Sequence, residues 1–236
     1  MAIDDALQPD LQRSPPESLS DYALRSIRED LIEGRLVPGQ RITTEGLAQN
    51  LQISHVPVRE ALRYLEAEGH LERGARSRVV VAPVTAEEAE EIYRLREILE
   101  SEVHREAVPR MTEHDFSELE LHFQQMEAAI VAGDTASFAR ANRRFHFVSF
   151  ERSEMKWMLR FLNIVWDAAA RYQTSLFRET GWEQDLQRHH RLILDAMRRR
   201  DTDAVNELMN EHRRVTVEAA RHRTGMPREA EPQSQR

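Results

Sequence analysis

From Thr85 to His222 apolar residues return every three to four positions almost without a break, and that periodicity leaves few folds open. Six stretches carry it, at about 86–107, 113–132, 135–151, 157–178, 182–200 and 202–222, with Gly133-Asp134, Gly181 and Arg200-Asp201 between some of them. Each has one apolar stripe, such as Ile92, Leu99 and Val103, or Trp182, Leu186, Ile193 and Met197. A helix with one apolar face must bury it against another element, so six in succession with short links predict an antiparallel helical bundle. Eight glycines and nine prolines in 236 residues are few enough to permit helices of this length.

Before Thr85 the texture is different. Residues 1–17 mix acids, prolines and polar residues without a period and predict a disordered tail, as do residues 224–236. From 18 to 84 the elements are short, punctuated by Pro38-Gly39, Gly69 and Gly74. A helix is expected from about Ser20 to Gly34, on Leu24, Ile27 and Leu31. Thr44 opens a second, short helix carrying Leu47, Ala48 and Leu51. Ser54 is a good cap for a third, from Val56 to Glu68, with Pro57 in the first turn, where its missing N–H costs nothing. Two short strands, Leu71–Arg73 and Arg78–Val81, then flank an arginine-rich turn. Two helices joined tightly and followed by a hairpin make a winged helix-turn-helix. At Pro83-Val84-Thr85 the strand-like run stops, and Thr85 with Glu88 starts the bundle. The expected fold is therefore mainly α. A DNA-binding domain is expected over residues 18–84 and a helical domain over 85–223, for which the resemblance given below implies effector binding and dimerisation.

The third helix sets His55, Arg59 and Arg63 at i, i+4 and i+8, away from the stripe of Val58, Leu62 and Leu65. Such a helix turns its apolar back to the scaffold and aims guanidiniums at phosphates or guanine edges. A solvated helix face would show the same two arginines, but the order of elements and the wing arginines favour DNA. The candidate contacts are Thr44, Ser54, His55, Arg59, Arg63, Arg76 and Arg78. The formal charge of -8 means that any such contact is a local patch rather than a property of the whole chain.

At these residues the chain resembles the N-terminal domain of GntR-family bacterial transcription regulators. The resemblance rests on Gly34-Arg35-Leu36-Val37-Pro38-Gly39-Gln40-Arg41-Ile42, on Leu47-Ala48, and on Ile53-Ser54-His55-Val56-Pro57-Val58-Arg59-Glu60-Ala61-Leu62. It continues through Leu65-Glu66-Ala67-Glu68-Gly69 and Val81-Ala82-Pro83. Two departures, His55 where arginine is common and Ser77-Arg78 where a wing glycine is usual, lie where operator bases would be read.

In the helical half four polar residues break the apolar stripes. Asn142 and His146 share one helix face, His190 sits between Leu186 and Ile193-Leu194, and His212 sits between Leu208 and Val215. One inward histidine is usually a hydrogen-bonded core residue. Three on three helices, with an amide, also suit a single ion, with metal–nitrogen distances of ~2.0–2.1 Å for zinc. Asn142 to His146, His190-Arg191-Leu192-Ile193-Leu194-Asp195-Ala196, Asp201 and His212 are similar to the FCD domain of the FadR subfamily within GntR, in its VanR-like branch. That resemblance implies a divalent transition metal (zinc, nickel or manganese) on Asn142, His146, His190 and His212, beneath a cavity for a small carboxylate. Asn142 stands where aspartate is the commoner ligand. A neutral amide leaves the ion more positive, which favours an anionic ligand on it. His70, His104, His114, His122 and His222 are expected to be solvated, and His189 to be the weaker ligand beside His190. Arg96, inward with Ile92 and Leu99, either pairs with Glu100 or clamps an effector carboxylate.

With no cysteine, thiolate metal sites, disulfides and cysteine nucleophiles are excluded. No apolar run approaches ~18 residues and no greasy leader opens the chain, so a cytoplasmic protein without a membrane segment is expected. The leading expectation is a homodimeric regulator, a repressor on a palindromic operator, and not an enzyme. The alternatives are a helical-bundle metalloenzyme, and a DNA-binding protein whose metal is purely structural. No histidine has the Glu-x-x-His spacing that di-iron bundles need.

Overall fold

The computed structural model describes residues 17–74, 78–83, 85–176 and 182–224. The tails expected at both ends lie almost wholly outside the described residues, as does Arg76 in the wing turn. Helix α1 (Leu19–Ile32) begins at Ser18, whose hydroxyl accepts the Asp21 N–H at 3.0 Å, and it buries Ala23, Ile27 and Leu31. Pro38-Gly39 then turns the chain. Gly39 holds φ +79°, a left-handed conformation that glycine adopts at little cost, and its N–H donates to the Val81 carbonyl at 2.9 Å. That turn lays β1 (Arg41–Ile42) beside a strand far along the chain.

Helices α2 (Thr44–Leu51) and α3 (His55–Ala67) follow, then β2 (Leu71–Arg73) and β3 (Val79–Val81). The sheet order is β1-β3-β2 with both pairings antiparallel, Arg41 opposite Val80 and Leu71 opposite Val81. The expected hairpin is thus two strands of three. A two-residue strand is too short to show a period, so β1 was not visible locally. The hydroxyl that closes the first turn of α2 belongs to Thr43, which accepts the Gly46 N–H at 3.1 Å, while Thr44 is the first helical residue. Ser54 occupies the cap position of α3 but makes no side-chain cap bond.

One apolar cluster seats α3. Ala23, Ile27 and Leu31 of α1 meet Val58, Ala61, Leu62 and Leu65 of α3 and Leu71 and Val81 of the sheet. Each fully buried Val, Leu or Ile among them contributes roughly 1.5–3 kcal/mol. With its back so held, α3 leaves its other face to solvent.

The remainder is helical: α4 (Ala86–Ala107), a single 3-10 turn at Val108–Arg110, α5 (Glu113–Ala132), α6 (Thr135–Glu151), α7 (Lys156–Leu176), α8 (Trp182–Arg198) and α9 (Thr202–Thr224). Their ends follow from local chemistry. Thr85 Oγ1 accepts the Glu88 N–H at 3.2 Å, and Thr112 with Asp115 forms a capping box. Gly133 takes φ +65° and Asp134 accepts the Ser137 N–H at 2.9 Å, which turns α5 into α6. Asp201 accepts the Ala204 N–H at 3.1 Å to start α9. Phe116, Leu119, Phe123, Met126, Phe145, Ile193 and Met197 form the core of α5, α6, α8 and α9. Helices α4 and α7 join through Ile92, Tyr93 and Ala169, and through Val103, Leu162 and Trp166, which also meet Phe150 of α6. No helix among the described residues is long and apolar enough to cross a membrane.

Candidate functional site

The packing of α3 decides which side chains are presented. His55, Arg59 and Arg63 are all exposed, because Pro57, Val58, Ala61, Leu62 and Leu65 take the inner face. Among the described residues neither Arg59 nor Arg63 is paired with a carboxylate. Ser54 is exposed at the start of α3, and its hydroxyl is not spent on its own helix. Two further exposed side chains, Val56 and Tyr64, share this outer surface. Arg78 is exposed where β3 begins, and Thr44 is half-buried at the first turn of α2.

In the bundle, α6, α8 and α9 bring His146, His190 and His212 together. One ring nitrogen from each lies within 4.8 Å of the others, and all three rings are buried. The closest approach is His146 Nε2 to His190 Nε2 at 3.3 Å. His190 Nδ1 lies 3.2 Å from Gln187 Oε1, and Gln187 Nε2 donates to the Phe123 carbonyl at 3.0 Å. If Nδ1 carries the His190 proton to that oxygen, Nε2 is left as a lone pair facing the cluster. His146 Nδ1 and His212 Nδ1 have no hydrogen-bond partner. Burial pushes His146 and His212 well below the ordinary imidazole range, helped by the neighbouring imidazoles and by Arg96. Burial likewise pushes His190 down to about 3, with His189 adding to it. All three are therefore neutral at physiological pH, with lone pairs that no proton occupies. Asn142 is buried one helical turn before His146, without a hydrogen bond to the cluster among the described residues. His189 is half-buried, and its ring centroid stands 6.2 Å from that of His212.

Beside the histidines lies a buried charge cluster. Arg96 Nε donates to Glu100 Oε1 at 2.7 Å, Trp166 Nε1 donates to the same oxygen at 2.8 Å, and Arg213 Nη1 pairs with Glu100 Oε2. The Arg96 guanidinium also lies 3.9 Å from the Trp166 ring, whose centroid is 4.9 Å from that of His146. Burial, the largest influence on Glu100, opposes its charge, but Arg96 and Arg213 outweigh it and hold the carboxyl below its usual range. Two buried guanidiniums against one carboxylate leave one positive charge in excess, and Arg96 Nη2 has no hydrogen-bond partner. Both expectations for Arg96 thus have a physical basis: one nitrogen is committed to Glu100 and another is left over.

His104 was expected in solvent and is 0% exposed, with Nδ1 3.2 Å from Asn206 Oδ1. Burial pushes it down to about 4, so it too is neutral. His70 was likewise expected outside and is buried. The missed signal was on α4 itself, where Arg96, Glu100 and His104 stand at i, i+4 and i+8 within the inward face. A surface groove of about 990 Å³ runs between α4 and α9 past Tyr93 and Arg213, but glutamates rim it, including Glu87, Glu207 and Glu218. None of the three histidines lines it.

Residues 19–81 match the bacterial regulatory proteins of the gntR family, and residues 91–215 match the FCD domain. The chain belongs to the GntR family, as a member with an FCD domain. It is similar to the HTH-type transcriptional regulator YdhC of Bacillus subtilis (strain 168), at 25% identity over 213 residues, 90% of this chain and 94% of that protein. It is also similar to the HTH-type transcriptional regulator McbR of Escherichia coli (strain K12), at 26% over 197 residues, 82% of this chain and 89% of that one. The solved structure of E. coli McbR/YncC matches with a TM-score of 0.80 at 25% identity, over 88% of this chain and 99% of that chain. A GntR regulator from Rhodococcus sp. RHA1 shares the fold, with a TM-score of 0.72 at 20% identity over 89% of this chain and 99% of that chain. The GntR/FCD protein is accordingly a transcription regulator and not an enzyme, which removes the metalloenzyme alternative.

Proposed function

We propose that this regulator is a cytoplasmic, homodimeric repressor that leaves a palindromic operator when a small carboxylate binds at a divalent metal in its helical half. The observation that carries the metal is the convergence of one ring nitrogen from each of three buried, neutral imidazoles to within 4.8 Å of one another. Neutral imidazoles bring lone pairs to that point and no charge, a donor set that a divalent ion satisfies. The donor set fits zinc, nickel or manganese, on His146, His190 and His212 with the Asn142 amide as the fourth ligand. Bound there, the ion would supply a positive anchor for a carboxylate. The excess positive charge beside Glu100 supports the same sign of ligand, with Arg96 Nη2 left to take one carboxylate oxygen and Trp166 packed between Arg96 and His146. Repression is favoured by relatives such as the E. coli protein named HTH-type transcriptional repressor RspR, 23% identical over 217 residues.

On the DNA side Ser54, His55, Arg59 and Arg63 would enter the major groove, with Thr44 on the backbone and Arg76 and Arg78 in the wing. The α3 N-terminus adds its helix dipole toward a phosphate. Residues 18–84 and 85–223 would be the two working units.

The dimer reading rests on two neighbouring helices. Trp157, Phe161, Ile164 and Ala168 of α7 recur at spacings of four, three and four, as do Glu91, Leu95, Ile98 and Glu102 of α4. Trp157, Phe161, Leu95 and Ile98 are exposed. That spacing is the seam of near-parallel helix packing. Acids close the α4 stripe at both ends and Arg160 edges the α7 stripe, so a second copy related by a two-fold axis answers each sign with its opposite. A monomeric Phe161→Glu variant in sedimentation equilibrium would support this face, and a monomeric parent protein would refute it.

The metal and effector are tested by thermal unfolding of chelator-stripped and zinc-, nickel- or manganese-restored protein across a panel of small organic acids. A ligand of the folded state raises stability by RT ln(1 + [L]/Kd). An acid that stabilises only metal-restored protein, and not His190→Ala, supports the sensor. Metal stabilisation with no response to any acid supports the structural-metal alternative, which the closed setting of the histidines favours. No response to metal sinks both.

A further inference from the structure

We infer that Arg28 and Asp167 are positioning residues, which hold the recognition helix α3 at one attitude to the helical half through the charge chain Glu68, Arg28, Asp167, Arg143. The inference rests on the reading of α3 as the DNA-reading helix and of α6 as a wall of the ligand site. Asp167 of α7 has a side chain only 6% exposed and lies between two guanidiniums from different parts of the molecule. Arg143 Nη1 of α6 is 2.8 Å from Asp167 Oδ1, and Arg28 Nε of α1 is 3.2 Å from Oδ2. Arg28 Nη2 in turn donates to Glu68 Oε2 at 2.5 Å, and Glu68 is the residue that ends α3. Negative and positive groups thus alternate from the foot of the recognition helix to the helix that carries His146.

Helix α6 has a part in both places. Arg143 follows Asn142 directly and precedes His146 by three residues, about 60° from His146 around a helix that turns 100° per residue. One turn earlier, Arg140 Nη1 lies 2.7 Å from Glu33 Oε1, and Glu33 is the C-cap of α1. One face of α6 therefore lines the histidine cluster while an adjacent face grips α1. A helix moves as a stiff rod, so a ligand that shifts α6 must also shift Arg140 and Arg143.

The Asp167 contacts suit a joint that can be reset. Arg28 Nε stands at ion-pair distance from Asp167 Oδ2, and Asp167 Oδ1 from Arg143 Nη1, yet neither Arg28 Nε nor Asp167 Oδ1 is aligned as a hydrogen bond. Attraction of that kind depends on separation more than on angle, so a small displacement changes how Asp167 is shared between Arg143 and Arg28. Burial, the largest influence, raises the Asp167 pKa, and Arg143 and Arg28 oppose it, so both guanidiniums favour the charged carboxylate. Losing either partner leaves a buried charge uncompensated.

The chain has no cysteine, which makes two-site labelling clean. Tyr64→Cys on α3 and Val131→Cys on α5 are exposed positions for spin labels, with labelled chain diluted into unlabelled chain. The expected result is one narrow label-to-label distance in the parent, and a broadened or displaced distribution in Asp167→Asn and Arg28→Gln. Arg28→Lys keeps the charge and should keep the narrow distance, which a purely space-filling role would not predict. Zinc should move the parent distance and leave that of Asp167→Asn unmoved, while both proteins keep the same zinc-induced rise in melting temperature. Identical distributions in all variants overturn the proposal, as does Arg28→Lys behaving like Arg28→Gln. Absence of any zinc-induced rise in the parent overturns the metal reading instead, and the zinc-free distances still decide this one.

Discussion

Glu100→Gln keeps the shape of a fully buried side chain and removes its charge. The carboxylate accepts hydrogen bonds from Arg96, Trp166 and Arg213, so the substitution strands two guanidiniums without a counter-charge in a closed interior. Breaking a buried ion pair by removing one partner costs about 3–5 kcal/mol. Ordinary stabilities are only roughly 5–15 kcal/mol. At ~2–4 °C per kcal/mol for a chain of this size, the melting temperature should fall by roughly 6–20 °C. Calorimetry of chelator-treated protein near neutral pH measures this without interference from a metal. Adding Arg96→Met removes one stranded cation and sets an apolar side chain against Trp166 and Tyr93, so the double variant should recover part of the loss. A fall of under about 1 kcal/mol, or a deeper loss on adding Arg96→Met, would refute the picture of uncompensated buried charge. The pH dependence has a definite sign. A carboxyl held below its usual range contributes stability that is present above ~4.3 and is lost as pH falls through its folded value.

Other consequences are local. Thr43→Ala should cost ~1 kcal/mol in urea unfolding through loss of the α2 cap, whereas Thr44→Ala should stay within about 0.5 kcal/mol. Equal costs would mean that the cap is not where the structure puts it. His104, pushed down to about 4 by burial, binds no proton in the folded state where the unfolded chain already does. Metal-free protein should therefore lose about 3 kcal/mol from this residue as pH falls from ~6.5 toward 4, at ~1.4 kcal/mol per pH unit, and His104→Gln should reduce the slope there by about one proton's share, leaving that of the other buried histidines. Arg59→Ala should weaken binding to an operator obtained by in vitro selection by ~1–3 kcal/mol if Arg59 reads a base. Unchanged affinity at fixed salt would remove Arg59 from the interface.

Much of the fold was legible because much of it is local. The bounds of α4, α5 and α6 follow from Thr85, Thr112, Gly133 and Asp134, each of which acts within a few residues of itself. The outward set of His55, Arg59 and Arg63 was legible for the same reason, since a helix with one apolar stripe has only one other face to offer. His104 was misread because α4 is packed on more than one side. Arg96 was read as inward and Glu100 as its partner, but His104 was placed on a polar flank, which α9 covers with Asn206 and Arg213. The spacing on α4 puts His104 on the face of Arg96 and Glu100, but what covers that face comes from a helix about a hundred residues later.

The amino-acid sequence by itself determined the two textures of the chain, the helical character of the bundle with the ends of α4 to α6, and the residue types able to read DNA or hold an ion. These follow from hydrogen bonds and apolar periods that close within one or two helical turns. Tertiary structure alone decided that His146 and His190, 44 residues apart, come within 3.3 Å of each other with His212. It also decided that β1 pairs with β3, and that Asp167 faces Arg28 across the two halves. Such meetings depend on how whole helices pack, because the core sets the distance and rotation between them, and a single helix carries no record of its neighbour's position.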